Sequence, residues 1–157
     1  MKNILTLCLF TLFAMSCGGS KTVRQSKKVI KGNWVLSQVT HNQKGNYKIA
    51  LLDDATQDCF EGSVWKFVPN NNSGNYSLSN ASCGDQARYF VFTIKEIDKT
   101  TGLYNFLLKP TNYKGKSQTN HGFRMSLTQL SDTNMQWQQT INVDGKPFTL
   151  NMNFLKQ

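Results

Sequence analysis

Four cysteines, two histidines and one short acidic run are the residues of this 157-residue chain whose chemistry could reach beyond packing. A serine or cysteine nucleophile needs a base within hydrogen-bond reach, most often an imidazole. Only His41 and His121 could supply one, and neither has a supporting motif beside it. His121 precedes Gly122 in a polar stretch and reads as a solvated turn residue. Asp53, Asp54, Asp58 and Glu61 lie close enough to suggest paired carboxylates or a calcium loop. Their spacing is not that of an EF-hand, and acids at a helix start or in a solvent loop account for it more simply. The sequence holds no glycine-rich phosphate loop, Cys-x-x-Cys pair or dinucleotide fingerprint. The expectation is a protein that is not an enzyme and that holds neither a metal nor a cofactor.

Charge is the next constraint. The formal net charge is +9, and all 9 carboxylates lie at or after Asp53, while Lys21, Arg24, Lys27, Lys28 and Lys31 crowd a short early stretch. Such an excess invites a nucleic-acid partner. The remaining lysines are scattered, however, and neither zinc-finger spacing nor a basic helix is legible, so none is expected.

The elements that must position these residues begin with the N-terminus. Residues 1–16 have a short positive start at Lys2 and then an apolar run from Ile4 to Met15. That run is too short to span a bilayer as a stable anchor and reads as a secretion signal. "AMSC" places Ala14 and Ser16 before Cys17 and resembles the lipobox of bacterial lipoproteins. The resemblance implies a diacylglyceryl group on the Cys17 thiol and cleavage that leaves Cys17 as the acylated N-terminus. The other reading is a plain signal peptide with an incidental cysteine. Acylation would hold the protein firmly, because each buried methylene contributes about 0.8 kcal/mol and two or more chains suffice for a stable anchor. Residues 18–31, "GGSKTVRQSKKVIK", lack apolar periodicity, so residues 17–31 read as a lipidated, flexible, basic linker. Its cations either lie against anionic head groups, at about 1 kcal/mol each, or are simply solvated. No acidic cluster follows Cys17, and the expected place is the outer membrane of the cell envelope, facing the periplasm, as a monomer.

If Cys8 leaves with the signal and Cys17 is acylated, Cys59 and Cys83 remain as two thiols in an oxidising compartment. A disulfide is expected. The rival reading makes them metal ligands, but a closed zinc site needs four ligands at suitable spacing and only His41 and His121 could join them.

The rest of the chain, 32–157, is expected to be one domain. Its makeup, 39% hydrophobic and 11% aromatic against 17% charged, suits strands better than helices. From Asn33 onward period-two alternation recurs between turn-forming clusters, which predicts eight half-buried antiparallel strands. They are "NWVLSQVTH", "SVWKFV", "GNYSLS", "ARYFVFTIKEI", "LYNFLL", "GFRMSLTQL", "MQWQQTINV" and "PFTLNMNF". Asp144-Gly145 between the last two signals a tight hairpin. Residues 47–62 break the pattern and predict a short helix or lid between the first and second strands. Short connections favour an all-β, up-and-down, eight-stranded antiparallel barrel, which also removes exposed edges. A two-sheet sandwich would show the same periodicity.

"GNW" at Gly32 to Trp34 resembles the G-x-W signature of lipocalins. Taken with the lipobox, the eight strands, the "C-x5-W-x-F" run from Cys59 to Phe67 and "SGNYSLSNASC", the chain resembles the lipocalin-like lipoproteins of Gram-negative bacteria. "TNY" at 111–113 is similar to a second lipocalin motif. The resemblance implies that Trp34 plugs the closed end of the barrel, beside Gly32, with an arginine over it; Arg124 and Arg88 are the candidates. It also implies binding or sequestration of a small hydrophobic molecule.

The residues permit the same conclusion independently. Trp65, Phe67, Tyr76, Phe92, Phe106, Trp137 and Phe148 fall on inner faces and would line an aromatic cavity. The same rings could instead fill a small barrel completely. Gln38, Gln129 and Gln139 also project inward by alternation and would need partners. Three Asn-x-Ser sequons, at Asn71, Asn75 and Asn80, arise readily by chance in an asparagine-rich chain. The second functional reading is a periplasmic inhibitor or envelope scaffold with a filled barrel, whose loops at 41–62 and 109–122 make the contacts.

Overall fold

All eight predicted strands form and close on one another. The computed structural model describes residues 21–117, 119 and 121–157, with the side chains of 21–23 left aside. The signal segment 1–16 and Cys17 lie outside the described residues. The barrel is built from β1 (Gly32–His41), β4 (Val64–Val68), β5 (Ser73–Ser77), β6 (Arg88–Ile97), β7 (Tyr104–Thr111), β8 (Phe123–Leu130), β9 (Asn134–Val143) and β10 (Lys146–Lys156). Each strand pairs antiparallel with its neighbour in sequence, and β1 closes the ring by pairing with both β10 and β4. The sandwich alternative is thereby set aside.

The alternation seen in the sequence decides which side chains meet. Phe148, Leu150, Met152 and Phe154 of β10 are all buried, as are Trp65 and Phe67 of β4 and Tyr104, Phe106 and Leu108 of β7. Gly74 occupies an inward position on β5, where a Cβ would lie 2.5 Å from the Lys66 carbonyl oxygen and closer still to the Phe90 ring. The missing side chain is what lets Phe90 lie across that strand. Asp144 and Gly145 both take positive φ, 51° and 76°, as a two-residue hairpin turn between twisted strands requires.

Two inward assignments are corrected. Gln38 and Gln129 are exposed, because the register shifts between Leu36 and Gln38 in β1 and between Leu127 and Gln129 in β8. A bulge inserts one residue and flips the phase of everything after it. In β1 the shift brings Val39 inward in place of Gln38.

Over the described part of the 17–31 linker, residues 21–31, the flexible reading is corrected, as is the absence of a basic helix. Lys21–Ile30 form a helix, α1, laid across the end of the barrel where β1 begins and β10 ends. Ser26 and Ile30, one turn apart, are its buried positions. A stripe that narrow leaves little apolar period to read, and contact with the barrel supplies most of the helix's stability. Its last carbonyls are not left bare: Trp34 Nε1 donates to Ile30 O at 2.9 Å and Lys156 Nζ donates to Val29 O at 2.6 Å.

The expected lid at 47–62 is a two-stranded hairpin, β2 (Ala50–Leu51) and β3 (Ala55–Thr56), followed by one turn of helix, α2 (Gln57–Phe60). It buries Ile49, Leu51, Leu52 and Phe60 at the opposite end of the barrel from α1. The expected Cys59–Cys83 disulfide forms and ties α2 to the loop between β5 and β6. Two of the four acids of the lid, Asp54 and Glu61, have structural work, and Asp58 is exposed. Asp54 pairs with Arg88 Nε at 2.6 Å and accepts from the Tyr76 hydroxyl at 2.8 Å. Glu61 accepts from Val39 N at 2.8 Å and from Gln57 Nε2 at 3.0 Å, whereas Asp53 is exposed, 3.7 Å from His121.

Candidate functional site

The interior is the first place to look for a site. Trp65, Phe67, Tyr76, Phe92, Phe106, Trp137 and Phe148 are each at most 5% exposed, and all but Phe148 belong to one continuous ring cluster. Phe148 stacks instead on His41 near the lid end of the barrel. The Trp65 and Tyr76 rings stack at 4.3 Å, and Trp137 meets Phe106 at 4.9 Å and Phe67 at 5.3 Å. What remains is a void of about 10 Å³ lined by Ile30, Phe67, Phe92, Tyr104, Phe106 and Trp137. That is room for one water. The predicted lining residues therefore come together, and they fill the barrel with one another.

Two residues of that void carry unpaired polar atoms. The Tyr104 hydroxyl and Trp137 Nε1 are buried without a hydrogen-bond partner, and so is Ser26 Oγ on α1. Burial pushes the Tyr104 hydroxyl up to about 12, and the neighbouring Ser26 hydroxyl, which falls short of hydrogen-bond geometry, pulls weakly the other way. Tyr76 is raised as well, first by burial and then by its hydrogen bond to Asp54. An unfolded tyrosine ionises near pH ~10. Below that value both states keep the Tyr104 proton and stability is flat. Above it only the unfolded chain ionises, so stability should fall by about 1.4 kcal/mol per pH unit until the folded group titrates. Tyr104→Phe is expected to remove that share of the alkaline loss, read from urea midpoints across the range.

Trp34 and Gly32, the residues expected at the plug, lie at the α1 end of the barrel. Trp34 is fully buried under α1, and Gly32 takes φ 116°, which a side chain would strain. Arg124 is not over it: that side chain is exposed on the outer face of β8. Arg88 is likewise engaged elsewhere, with Asp54. The cation over Trp34 is Lys156, with Nζ 5.0 Å from the ring centroid, because Trp34 and Lys156 are paired residues of β1 and β10. Lys156→Ala should cost about 1–2 kcal/mol in urea unfolding, through the lost cation–π contact and helix-end hydrogen bond. Arg124→Ala should stay within about 0.5 kcal/mol.

The outer surface holds a larger space. β8 and β9 pair from Leu130↔Met135 to Ser126↔Gln138 and no further. A bulge at Thr128, whose Oγ1 donates to Gln136 Oε1 at 2.9 Å, interrupts the ladder, which resumes for two pairs, Leu127↔Trp137 and Ser126↔Gln138. Beyond those pairs the strands part. A cleft of about 430 Å³ opens there, with Phe106, Leu107 and Met125 beside Lys95, Arg124 and Gln138. Its volume falls within the range of small-ligand pockets. Glu96 and Asn105 are also in its wall, joined by a hydrogen bond of 2.9 Å, and Ser126 Oγ donates to Asn105 Oδ1 at 2.8 Å. Lys95, Gln138 and Thr140 were not singled out in the sequence. No motif in the sequence marks them, since they meet only where the β8–β9 pairing stops.

No family model matches the chain, and no curated protein matches it. Among solved structures it is similar to a lipocalin-like protein from Bacteroides uniformis, with a TM-score of 0.47 and 9% identity over 82% of this chain and 99% of that one.

Proposed function

We propose that this chain is a lipid-anchored binding protein of the cell envelope, without catalytic activity, whose solid barrel is a rigid frame presenting a ligand site on its outer surface. The site is the parting of β8 and β9. One contrast carries the reading: the void among the inward rings is about 10 Å³, against about 430 Å³ in the cleft outside. The anchor is the acylated Cys17 of the "AMSC" motif, which supports placement at the outer membrane facing the periplasm. The occupant favoured by a filled barrel is a partner protein.

A second reading keeps a small hydrophobic molecule among the inward rings. The unpartnered Tyr104 hydroxyl and Trp137 Nε1, both on residues lining the void, favour it, since a ligand's polar group would satisfy them. It requires the rings to move apart. Native mass spectrometry of protein extracted from membranes separates the two. The surface reading expects no retained small molecule, together with hydrogen-exchange protection by partner at 123–126 and 138–141. A retained apolar mass with protection confined to the inward rows would overturn it. Labelling with radioactive palmitate tests the anchor, and unlabelled Cys17 would remove it.

A further inference from the structure

Strand β9 pairs with β10 along its whole length, from Asn134 to Val143, but with β8 only as far as Gln138. Residues Gln139 to Val143 therefore present one row of backbone N–H and C=O groups with no strand against it. Such an edge is a template for another strand, and proteins ordinarily guard it with lysine, proline, an inward charge or a covering loop. This run, Gln-Thr-Ile-Asn-Val, contains neither charge nor proline. Thr140 to Val143 are exposed, with Ile141 at 42% and Val143 at 40%. Continued register would set Arg124 opposite Thr140 and Phe123 opposite Ile141, but neither pair forms.

The charges beside the edge select what could pair with it. Lys95 and Arg124 line the cleft, and neither is in an ion pair among the described residues. The acid in the wall, Glu96, already accepts from Asn105 Nδ2. At the hairpin tip Asp144 is balanced by Lys146. Two copies joined edge to edge would bring these cations together on chains that each carry +9. An acidic strand meets no such repulsion.

We infer that the free edge of β9, Gln139 to Val143, is a docking site for an extended acidic segment of a partner protein, which adds as a strand and sets its carboxylates against Arg124 and Lys95. Main-chain hydrogen bonds would supply affinity, and contact with Ile141 and Val143 would select alternate side chains. The inference deepens the surface-binding reading and rests on it.

The test uses the full acylated chain in neutral detergent micelles. The probe is the peptide acetyl-Thr-Asp-Val-Asp-Val-Thr-amide. At saturation, amide exchange at 139–143 should slow at least tenfold. Arg124→Glu and Ile141→Glu, both at exposed positions and checked for native near-UV dichroism, should each weaken binding at least tenfold. Equal binding of a peptide with proline at alternate positions would reduce the effect to charge alone and overturn strand addition. A dimer in the absence of peptide would assign the edge to a second copy and overturn the acidic partner. Tighter binding of a lysine-for-aspartate peptide at the same amides would overturn the acidic preference while leaving the surface reading intact. Protection confined to inward-facing residues would remove both.

Discussion

Trp137→Ala is expected to lower the free energy of unfolding by about 3–5 kcal/mol, the range for removing a large aromatic side chain from a packed core. Trp137 is 1% exposed, and its ring lies 4.9 Å from Phe106, 5.0 Å from Phe154, 5.3 Å from Phe67 and 5.5 Å from Trp65. Those four rings come from β4, β7 and β10, so no single strand can move to close the space left behind. The cavity would be apolar, and such cavities stay dry and accept small aromatic molecules. Indole should therefore raise the thermal midpoint of the variant and leave the parent unchanged. Trp137→Phe should cost less than its lost area suggests, because it also removes an N–H that has no partner. A loss below about 1 kcal/mol for Trp137→Ala would mean the rings are not closely packed, and the solid barrel would have to be given up.

How far the barrel was legible depends on which interactions are local. In β10 the pattern Phe148, Leu150, Met152, Phe154 against Thr149, Asn151, Asn153 leaves one possible inner face, since a one-residue slip would expose all four apolar side chains. Asp144-Gly145 is equally local: the turn needs positive φ, and these residue types accept it. Gln38 and Gln129 fail for a different reason. A bulge is a relation between two strands, and nothing in "VLSQV" or "SLTQL" alone says where the extra residue falls. Lys156 escaped notice similarly, because reaching Trp34 depends on the β1–β10 register and not on any motif around it. For α1 the missing signal was the second surface, since Ser26 and Ile30 become a buried stripe only once the barrel end is there to receive them.

The candidate site was the least legible part. It is produced by a failure of pairing: the β8–β9 ladder stops at Ser126↔Gln138, two pairs past the bulge at Thr128, although β8 continues to Phe123. Arg124 was picked as a plug residue and lies in the cleft wall, so its residue type was informative and its role was not. The predicted contact loops at 41–62 and 109–122 do not line the cleft. The first buries apolar residues as a lid, while the cleft lies on strands.

Replacing both Cys59 and Cys83 by alanine should destabilise the protein by about 3.5 kcal/mol, the loop-closure value for the stretch they enclose, in non-reducing urea unfolding. The bridge spans a sequence separation of 24 and joins the lid to the turn Ala81–Cys83. Its loss need not lift the lid. Ser79 N and Oγ each donate to Cys59 O at 3.1 Å, Arg88 donates to Cys83 O at 3.0 Å, and the Asp54–Arg88 pair closes the same corner. Phe60 is fully buried against Tyr76, at 5.4 Å between rings. Most of the effect should therefore fall on the unfolded chain, whose freedom the bridge restricts, and the double variant should keep native near-UV dichroism while unfolding at lower urea. Adding Asp54→Asn removes the charge that Arg88 meets, and amide exchange at 50–62 should then rise well above that of either variant alone. If the double cysteine variant unfolds at the parent's urea midpoint, the bridge contributes nothing and the latch at Asp54 carries the lid by itself.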